Sequence, residues 1–299
     1  MEKIIETQSL TRNYRGKEAV KNLDLKLTGG RIHAFLGRNG AGKTTTIKML
    51  TGLIRPTSGS SMLLGRDSQK LRPEDWQKIG YVSENQELYE WMTGTEIISF
   101  TSAFYPSWDK SFERDLVEQL ELPLNRKISQ CSRGEKMKLA LMLAMAFRPR
   151  LLILDEPFAG LDPLVRSEFL DSLLEITTQN DWSVFFSTHD IDDVEKLADE
   201  VVMIDDGQLQ ICESLDSLQH RFHRVDIIGP CEKESRSASI LGYQREGDHI
   251  RFVHSAFNET TEAELHAAYP GAVINISSMS LKEIFLTLAR KYQKKGVSA

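Results

Sequence analysis

The chain has 299 residues, 40% hydrophobic and 27% charged, enough for one large core or two smaller ones. A formal charge of −6 supplies no clustered excess of lysine and arginine to neutralise a phosphate backbone, so no nucleic-acid partner is expected. Cys131, Cys212 and Cys231 are odd in number and lack CxxC spacing, which argues against a disulfide framework or zinc site and for a reducing cytosol.

The first residues, Met-Glu-Lys-Ile-Ile-Glu, have neither the basic nor the apolar region of a signal peptide. Apolar runs such as Leu139 to Phe147 are far short of a membrane span, so any membrane involvement is expected to come through another subunit. Ile32 to Leu36 reads as a strand, followed by a glycine-rich turn and a helix over Thr44 to Leu53, where Ile47, Leu50 and Ile54 recur at helical spacing. The stretch from about 86 to 147 reads as a mostly helical insertion punctuated by Pro106, Pro123 and Pro149. Leu151 to Leu154 and Val184 to Phe186 are continuous apolar runs, as in parallel strands covered on both faces. Between them Asp162 to Thr178 reads as a helix, with Asp162 as N-cap and Pro163 at its first turn. Strands joined by helices predict an α/β fold with a mainly parallel sheet.

After about residue 218 the pattern becomes that of a small mixed α/β module. Arg224 to Ile228, His249 to His254 and Ala272 to Ser277 are predicted strands, and Glu262 to Ala268 and Leu281 to Lys294 predicted helices. Ser280 and Glu283 form a capping box for the last helix, whose apolar face is Leu281, Ile284, Phe285 and Leu288.

Gly37-Arg38-Asn39-Gly40-Ala41-Gly42-Lys43-Thr44-Thr45 fits GxxxxGK[ST] and lies between a predicted strand and helix, the context that this motif requires. Glycines let successive amides turn inward around an anion, and the helix starting near Lys43 adds its dipole. Lys43 is expected to reach the β and γ phosphates of a nucleotide, and Thr44 to join a Mg2+ shell. Asp155 and Glu156 end the Leu151 to Leu154 strand, where α/β sheets place ligand chemistry. Asp155 is expected to hold Mg2+, directly or through water, and Glu156 to orient or deprotonate a water that attacks the γ phosphate.

These residues resemble the ATP-binding subunits of ABC transporters, and the resemblance covers about residues 1 to 218. It implies a P-loop NTPase core with a mainly parallel sheet, antiparallel N-terminal strands and the helical insertion, with 219 to 299 as a small accessory domain. In that family a Leu-Ser-Gly-Gly-Gln signature opens a helix; Cys131-Ser132-Arg133-Gly134-Glu135 stands at the matching place and keeps the serine and the second glycine. The resemblance implies that Ser132 and Gly134 contact the γ phosphate held by a second ATPase subunit, giving an ATP sandwich; by itself Ser132 reads as an N-cap. Ala159-Gly160-Leu161-Asp162 is similar to the D-loop at the dimer interface, and His189, in Ser187-Thr188-His189-Asp190, to the switch histidine that contacts the γ phosphate. Tyr14 stands where the family has an aromatic that stacks on adenine. Where a glutamine loop is usual, Glu84 occupies the position and Gln86 follows; Glu84 is a candidate Mg2+ ligand, and the choice between them is open.

The segments Glu84 to Gly94 and Phe104 to Trp108 resemble the branch that serves exporters with separate membrane subunits. There the surface after the glutamine loop receives a coupling helix, which makes Leu88, Tyr89, Trp91 and Met92 a candidate docking patch; the alternative is that they pack under the helical insertion. The expected function is an ATPase subunit that dimerises on ATP, as homodimer or heterodimer, and powers export through a polytopic membrane partner on the cytoplasmic face. The alternative is an ATP-dependent switch acting without transport, a class usually marked by fused ATPase domains, coiled coils or basic arms.

Overall fold

The computed structural model describes residues 2–179, 182–229, 237 and 239–295, so Cys231 lies outside the described residues. Contacts divide the chain into two compact units, the first ending at Cys212 and the second beginning at Glu213.

In the first unit β1 (Lys3–Tyr14) and β2 (Lys17–Thr28) form a long antiparallel hairpin. Leu23, Leu25 and Leu27 are buried while Asp24 and Lys26 are exposed, the period-two pattern of a strand with one wet face. β3 (Ile32–Leu36) follows, then α1 (Lys43–Leu50). The helix stops at Leu50, earlier than the apolar spacing predicts, and Ile54 lies beyond it. Gly52 is the reason: it takes φ +69°, and a Cβ there would sit 2.3 Å from the Ser68 carbonyl oxygen. β4 (Ser58–Leu63) and β5 (Arg66–Asp67) complete a four-stranded sheet in the order β2-β1-β4-β5.

After α2 (Pro73–Trp76) and β6 (Ile79–Val82) comes the helical stretch, α3 (Gly94–Ser102), α4 (Lys110–Gln119) and α5 (Arg133–Met145). The core elements resume with β7 (Leu151–Asp155), α6 (Pro163–Gln179), β8 (Ser183–Thr188), α7 (Ile191–Leu197), β9 (Glu200–Asp205) and β10 (Gln208–Ser214). As expected, Asp162 caps α6, its carboxylate accepting from the Leu164 and Val165 amides. The second sheet runs β10-β9-β3-β8-β7-β6, with β9, β3, β8, β7 and β6 mutually parallel. Every residue of β3, β7 and β8 is buried, which explains the apolar runs Leu151 to Leu154 and Val184 to Phe186. Parallel strands point their carboxyl ends to one side, so the segments after β3, β8 and β7 emerge side by side.

The second unit begins before α8 (Leu215–Arg221), a helix that the expected boundary at 218 would cut. β11 (His223–Ile228), β12 (Ile240–Glu246), β13 (His249–His254) and β14 (Val273–Ser278) form an antiparallel sheet in the order β12-β13-β11-β14. Val225, Ile227, Ile250 and Phe252 pack with Leu265 and Tyr269, which α9 (Thr261–Ala268) brings in. The last helix, α10 (Leu281–Lys295), opens with the predicted Ser280/Glu283 capping box and buries Leu281, Ile284, Phe285 and Leu288.

Candidate functional site

The three strand ends converge on one site. The Gly37 amide donates to the Thr188 carbonyl at 3.2 Å, joining the loop after β3 to the end of β8. Asp155 on β7 lies in register with Ser187 on β8. The loop from Gly37 to Gly42 then curls into α1. Its N-cap, Gly42, has φ +106°, and a Cβ would meet the Ala19 carbonyl oxygen at 2.4 Å, so glycine is required for both conformation and space. No side chain caps the helix, which leaves its first amides for an anion.

Lys43 is buried, and its ammonium donates to the carbonyls of Gly37 (2.6 Å) and Arg38 (3.2 Å) and pairs with Glu156 Oε1 at 3.0 Å. Glu156 Oε2 lies 2.9 Å from His189 Nδ1. A carboxylate only accepts, so the ring proton sits on Nδ1. His189 is about half exposed, at 49%, whereas Glu156 is buried.

Asp155 Oδ1 accepts from Thr44 Oγ1 at 3.2 Å and from Ser187 Oγ at 2.7 Å. Burial pushes the Asp155 carboxyl above the ordinary range; those two hydroxyls oppose the rise, and the nearby charges of Glu84 and Glu156 add to it. Three carboxylates therefore meet near one lysine. A cation would relieve that repulsion, and Thr44, Asp155 and Glu84 present only oxygen donors, the set suited to Mg2+. Among the described residues no cluster of three or more His, Cys, Asp and Glu forms a cage of its own. Mg2+ commonly takes one or two carboxylates and completes its shell with phosphate and water, so the residues present fit it.

A cleft of about 420 Å³ opens over this chemistry, a volume within the range of small-molecule sites. Asn39, Gly40, Gly42, Lys43, Thr44, Thr45, Glu84 and Glu156 line it, with Tyr14 at one side. Arg12 stacks over the Tyr14 ring, its Cζ 4.6 Å from the centroid. Lys17 and Ala19 also line the cleft and were not singled out from sequence. The pairing of Tyr14 with Lys17 in the hairpin is the signal that would have found them. Gly37, Arg38 and Ala41 shape the loop instead of lining the cleft: the first two through carbonyls, and buried Ala41 through its amide N–H, which donates to the Arg38 carbonyl.

Glu84 and Gln86 take different places. Glu84 lines this cleft, whereas the Gln86 amide oxygen accepts from Ser83 and the residue lines a second groove of about 280 Å³. That groove also contains Leu88, Tyr89, Phe100, Tyr105 and Phe147. Phe100 meets both Tyr89 and Phe104 edge-on, and Trp91, 67% exposed, lies against Tyr89. Met92 departs from the expected patch: it is buried, with its carbonyl accepting from Ile128 N–H.

Ser132 and Gly134 are not among the residues lining the cleft. Ser132 caps α5 in a reciprocal box with Glu135, its Oγ accepting from the Glu135 amide at 3.2 Å and its own amide donating to the Glu135 carboxylate at 2.7 Å. Glu135, where the signature has glutamine, also pairs with Arg126. Gly134 faces α6, where a Cβ would meet Val165 at 2.9 Å.

An anion-cradling loop at the end of a parallel strand, with adjacent acids ending the strand next but one in the same sheet, defines a P-loop NTPase. The ABC transporter family profile matches residues 20–159. The ABC transporter ATP-binding protein YxlF of Bacillus subtilis is 36% identical, aligned over 73% of each chain. The bacitracin transport ATP-binding protein BcrA of Bacillus licheniformis is 34% identical over 74% of this chain and 73% of its own. YcbN of B. subtilis, an ABC transporter ATP-binding protein, is 30% identical over 95% of this chain and 96% of its own, so its likeness extends through the second unit. The ATP-binding subunit of an ABC transporter superposes with TM-score 0.64 at 26% identity, covering 72% of this chain and 92% of that one. A dimeric ATP-binding cassette, MJ0796, in a post-hydrolysis state with ADP and Pi, superposes with TM-score 0.63 at 23% identity, over 71% and 99%, and shares the fold. The chain belongs to the ABC transporter family, as one of its ATP-binding ATPase subunits.

Proposed function

We propose that the protein is the motor of an exporter: two ATPase subunits close on ATP, drive a polytopic membrane partner, then hydrolyse and reopen. The observation that carries this reading is the meeting of Lys43, Glu156 and His189, drawn from three separate strand ends, beside the phosphate loop. Lys43 and the loop amides bind the β and γ phosphates, while Tyr14 offers a ring face to adenine. Mg2+, held through Thr44 and Asp155 with Glu84 beside them, would neutralise charge on those phosphates when bound. Glu156 orients the attacking water or takes its proton. With Nδ1–H held by Glu156, His189 Nε2 accepts from that water when the ring is neutral and donates to the γ phosphate when the ring is charged.

Ser132 and Gly134 act on the nucleotide of the second subunit. Supporting this, the Ser132 Oγ is only an acceptor in its cap, so its proton is available to an anion. Tyr89, Trp91, Phe100 and Phe104 form an exposed aromatic patch beside a groove, the surface chemistry suited to a docking helix of the membrane partner. Among the described residues no helix is long and apolar enough to cross a membrane, which fits a membrane subunit supplied in trans. The likeness to a bacitracin transport ATP-binding protein supports transport as the coupled task.

The test is Glu156→Gln. The variant should bind ATP, lose about 10²–10⁴-fold in turnover and accumulate as an ATP-dependent dimer by light scattering. Undiminished turnover would remove Glu156 from the chemistry. Purification of the intact complex from detergent checks the coupling: a polytopic membrane protein is expected, and ribosomes in its place would refute transport.

A further inference from the structure

Ser187 is the penultimate residue of β8 and fully buried. Its hydroxyl has a single proton, donated to Asp155 Oδ1 at 2.7 Å, and its oxygen accepts the Glu156 amide N–H at 2.8 Å. One side chain therefore holds two consecutive acids through different handles, the carboxylate of the first and the backbone of the second. Thr44 donates to the same Asp155 oxygen, so two hydroxyls limit rotation of that carboxylate.

Glu156 has φ +49°, in the left-handed region, which costs a non-glycine residue about 1–2 kcal/mol. The bond from its amide to Ser187 offsets part of that cost. In this conformation the Glu156 carboxylate meets Lys43 and His189. Ser187 does not line the cleft and is sealed from solvent, so it acts through the two acids and not on the nucleotide.

We propose that Ser187 is a positioning residue for hydrolysis, its one hydroxyl setting both the carboxylate of Asp155 and the backbone turn that aims Glu156. This rests on the roles given above to those two acids. Removing the hydroxyl leaves the Glu156 amide without its buried acceptor and Asp155 with one donor fewer. Loss of such an outer partner typically lowers metal affinity or activity about 10–100-fold.

The experiment compares the full-length wild type with Ser187→Ala and Ser187→Thr. Calorimetry with a β,γ-imido ATP analogue, in Mg2+ and in EDTA, reads binding apart from turnover. Ser187→Ala should bind at least as tightly as the wild type in EDTA, because the loop and Lys43 keep their own positions and any loosening of Glu156 only frees Lys43 for phosphate. It should lose most of the affinity gained from Mg2+, so its KM in Mg2+ should rise in step, and its kcat should fall about 10–100-fold. Ser187→Thr, which keeps the hydroxyl and suits a strand, should recover most of both. An alanine variant equal to the wild type in Mg2+ gain and kcat overturns the inference, as does a threonine variant no better than alanine. Weakened binding of the alanine variant in EDTA also overturns it, since that marks general damage to the site. If the wild type itself shows no Mg2+-dependent hydrolysis, the site reading fails first; a hydrolysing wild type with an unaffected Ser187→Ala refutes only the role of Ser187.

Discussion

The Lys43–Glu156 pair makes Glu156→Gln a thermodynamic probe as well as a kinetic one. Both side chains are nearly sealed, 5% and 8% exposed, with nitrogen and oxygen 3.0 Å apart. Removing one partner of a buried pair costs about 3–5 kcal/mol when the other is left uncompensated. Here two features reduce the figure. Lys43 keeps the Gly37 and Arg38 carbonyls, and loss of the Glu156 charge relieves its repulsion with Asp155. We therefore expect the nucleotide-free variant to be less stable by about 1–2 kcal/mol, a fall in Tm of roughly 2–8 °C for a unit of this size. For Lys43 to reach phosphates the wild type must first separate the pair, whereas the variant need not. Its ATP affinity in EDTA should accordingly rise by roughly the same energy, about 5–30-fold. Thermal unfolding with and without ATP, together with calorimetry, reads both quantities. Unchanged stability with unchanged or weaker affinity would show that Glu156 does not hold Lys43 before ATP arrives, and would refute the exchange.

Ser132→Ala should remove the α5 cap at a cost of about 1 kcal/mol, seen as a small fall in Tm. Ser132→Arg should leave ATP binding to the single subunit intact but abolish ATP-dependent dimerisation in light scattering; a variant that still dimerises and turns over would remove the sandwich. In the second unit His223 and His254 face each other across β11 and β13, and Phe257 lies against His223 with ring centroids 4.3 Å apart. Burial lowers the pKa of both below the ordinary value of 6.5; the neighbouring His220 lowers His223 further, while for His254 Glu264 opposes and His223 adds to the fall. The unfolded chain binds protons more readily, so this contribution is present above pH about 6.5 and lost as pH falls towards the lowered values. Protection factors of the β11 and β13 amides, corrected for the intrinsic exchange rate at each pH, should fall on acidification, and a double variant His223→Gln, His254→Gln should lose that dependence.

Local chemistry was readable from the sequence where neighbours along the chain carry it. The phosphate loop, the Asp162 and Ser132 caps, and the acids at the end of β7 each depend on a few consecutive residues. The continuous apolar runs Leu151 to Leu154 and Val184 to Phe186 showed strands covered on both faces, hence the parallel sheet. The end of α1 was misjudged because apolar spacing continues to Ile54, while Gly52 turns the backbone out of the helix. Periodicity reports which face is apolar, not where a left-handed residue stops the turn. Of the candidate patch, Met92 follows the alternative and packs inward: hydrophobicity marks Met92 and Trp91 alike, and only packing puts one inside and the other out.

The sequence by itself determined that this chain binds a nucleotide phosphate and what kind of fold holds the site, because those signals are contiguous. Only the tertiary structure decided which groups meet. Glu84 enters the nucleotide cleft and Gln86 a separate groove, although they lie two residues apart. Lys43 pairs with Glu156, and Ser187 joins Asp155 to Glu156, because β3, β8 and β7 lie side by side in one parallel register. Hydrogen bonds and ion pairs act over about 3–4 Å, and contacts between residues distant along the chain form only when the sheet fixes that distance.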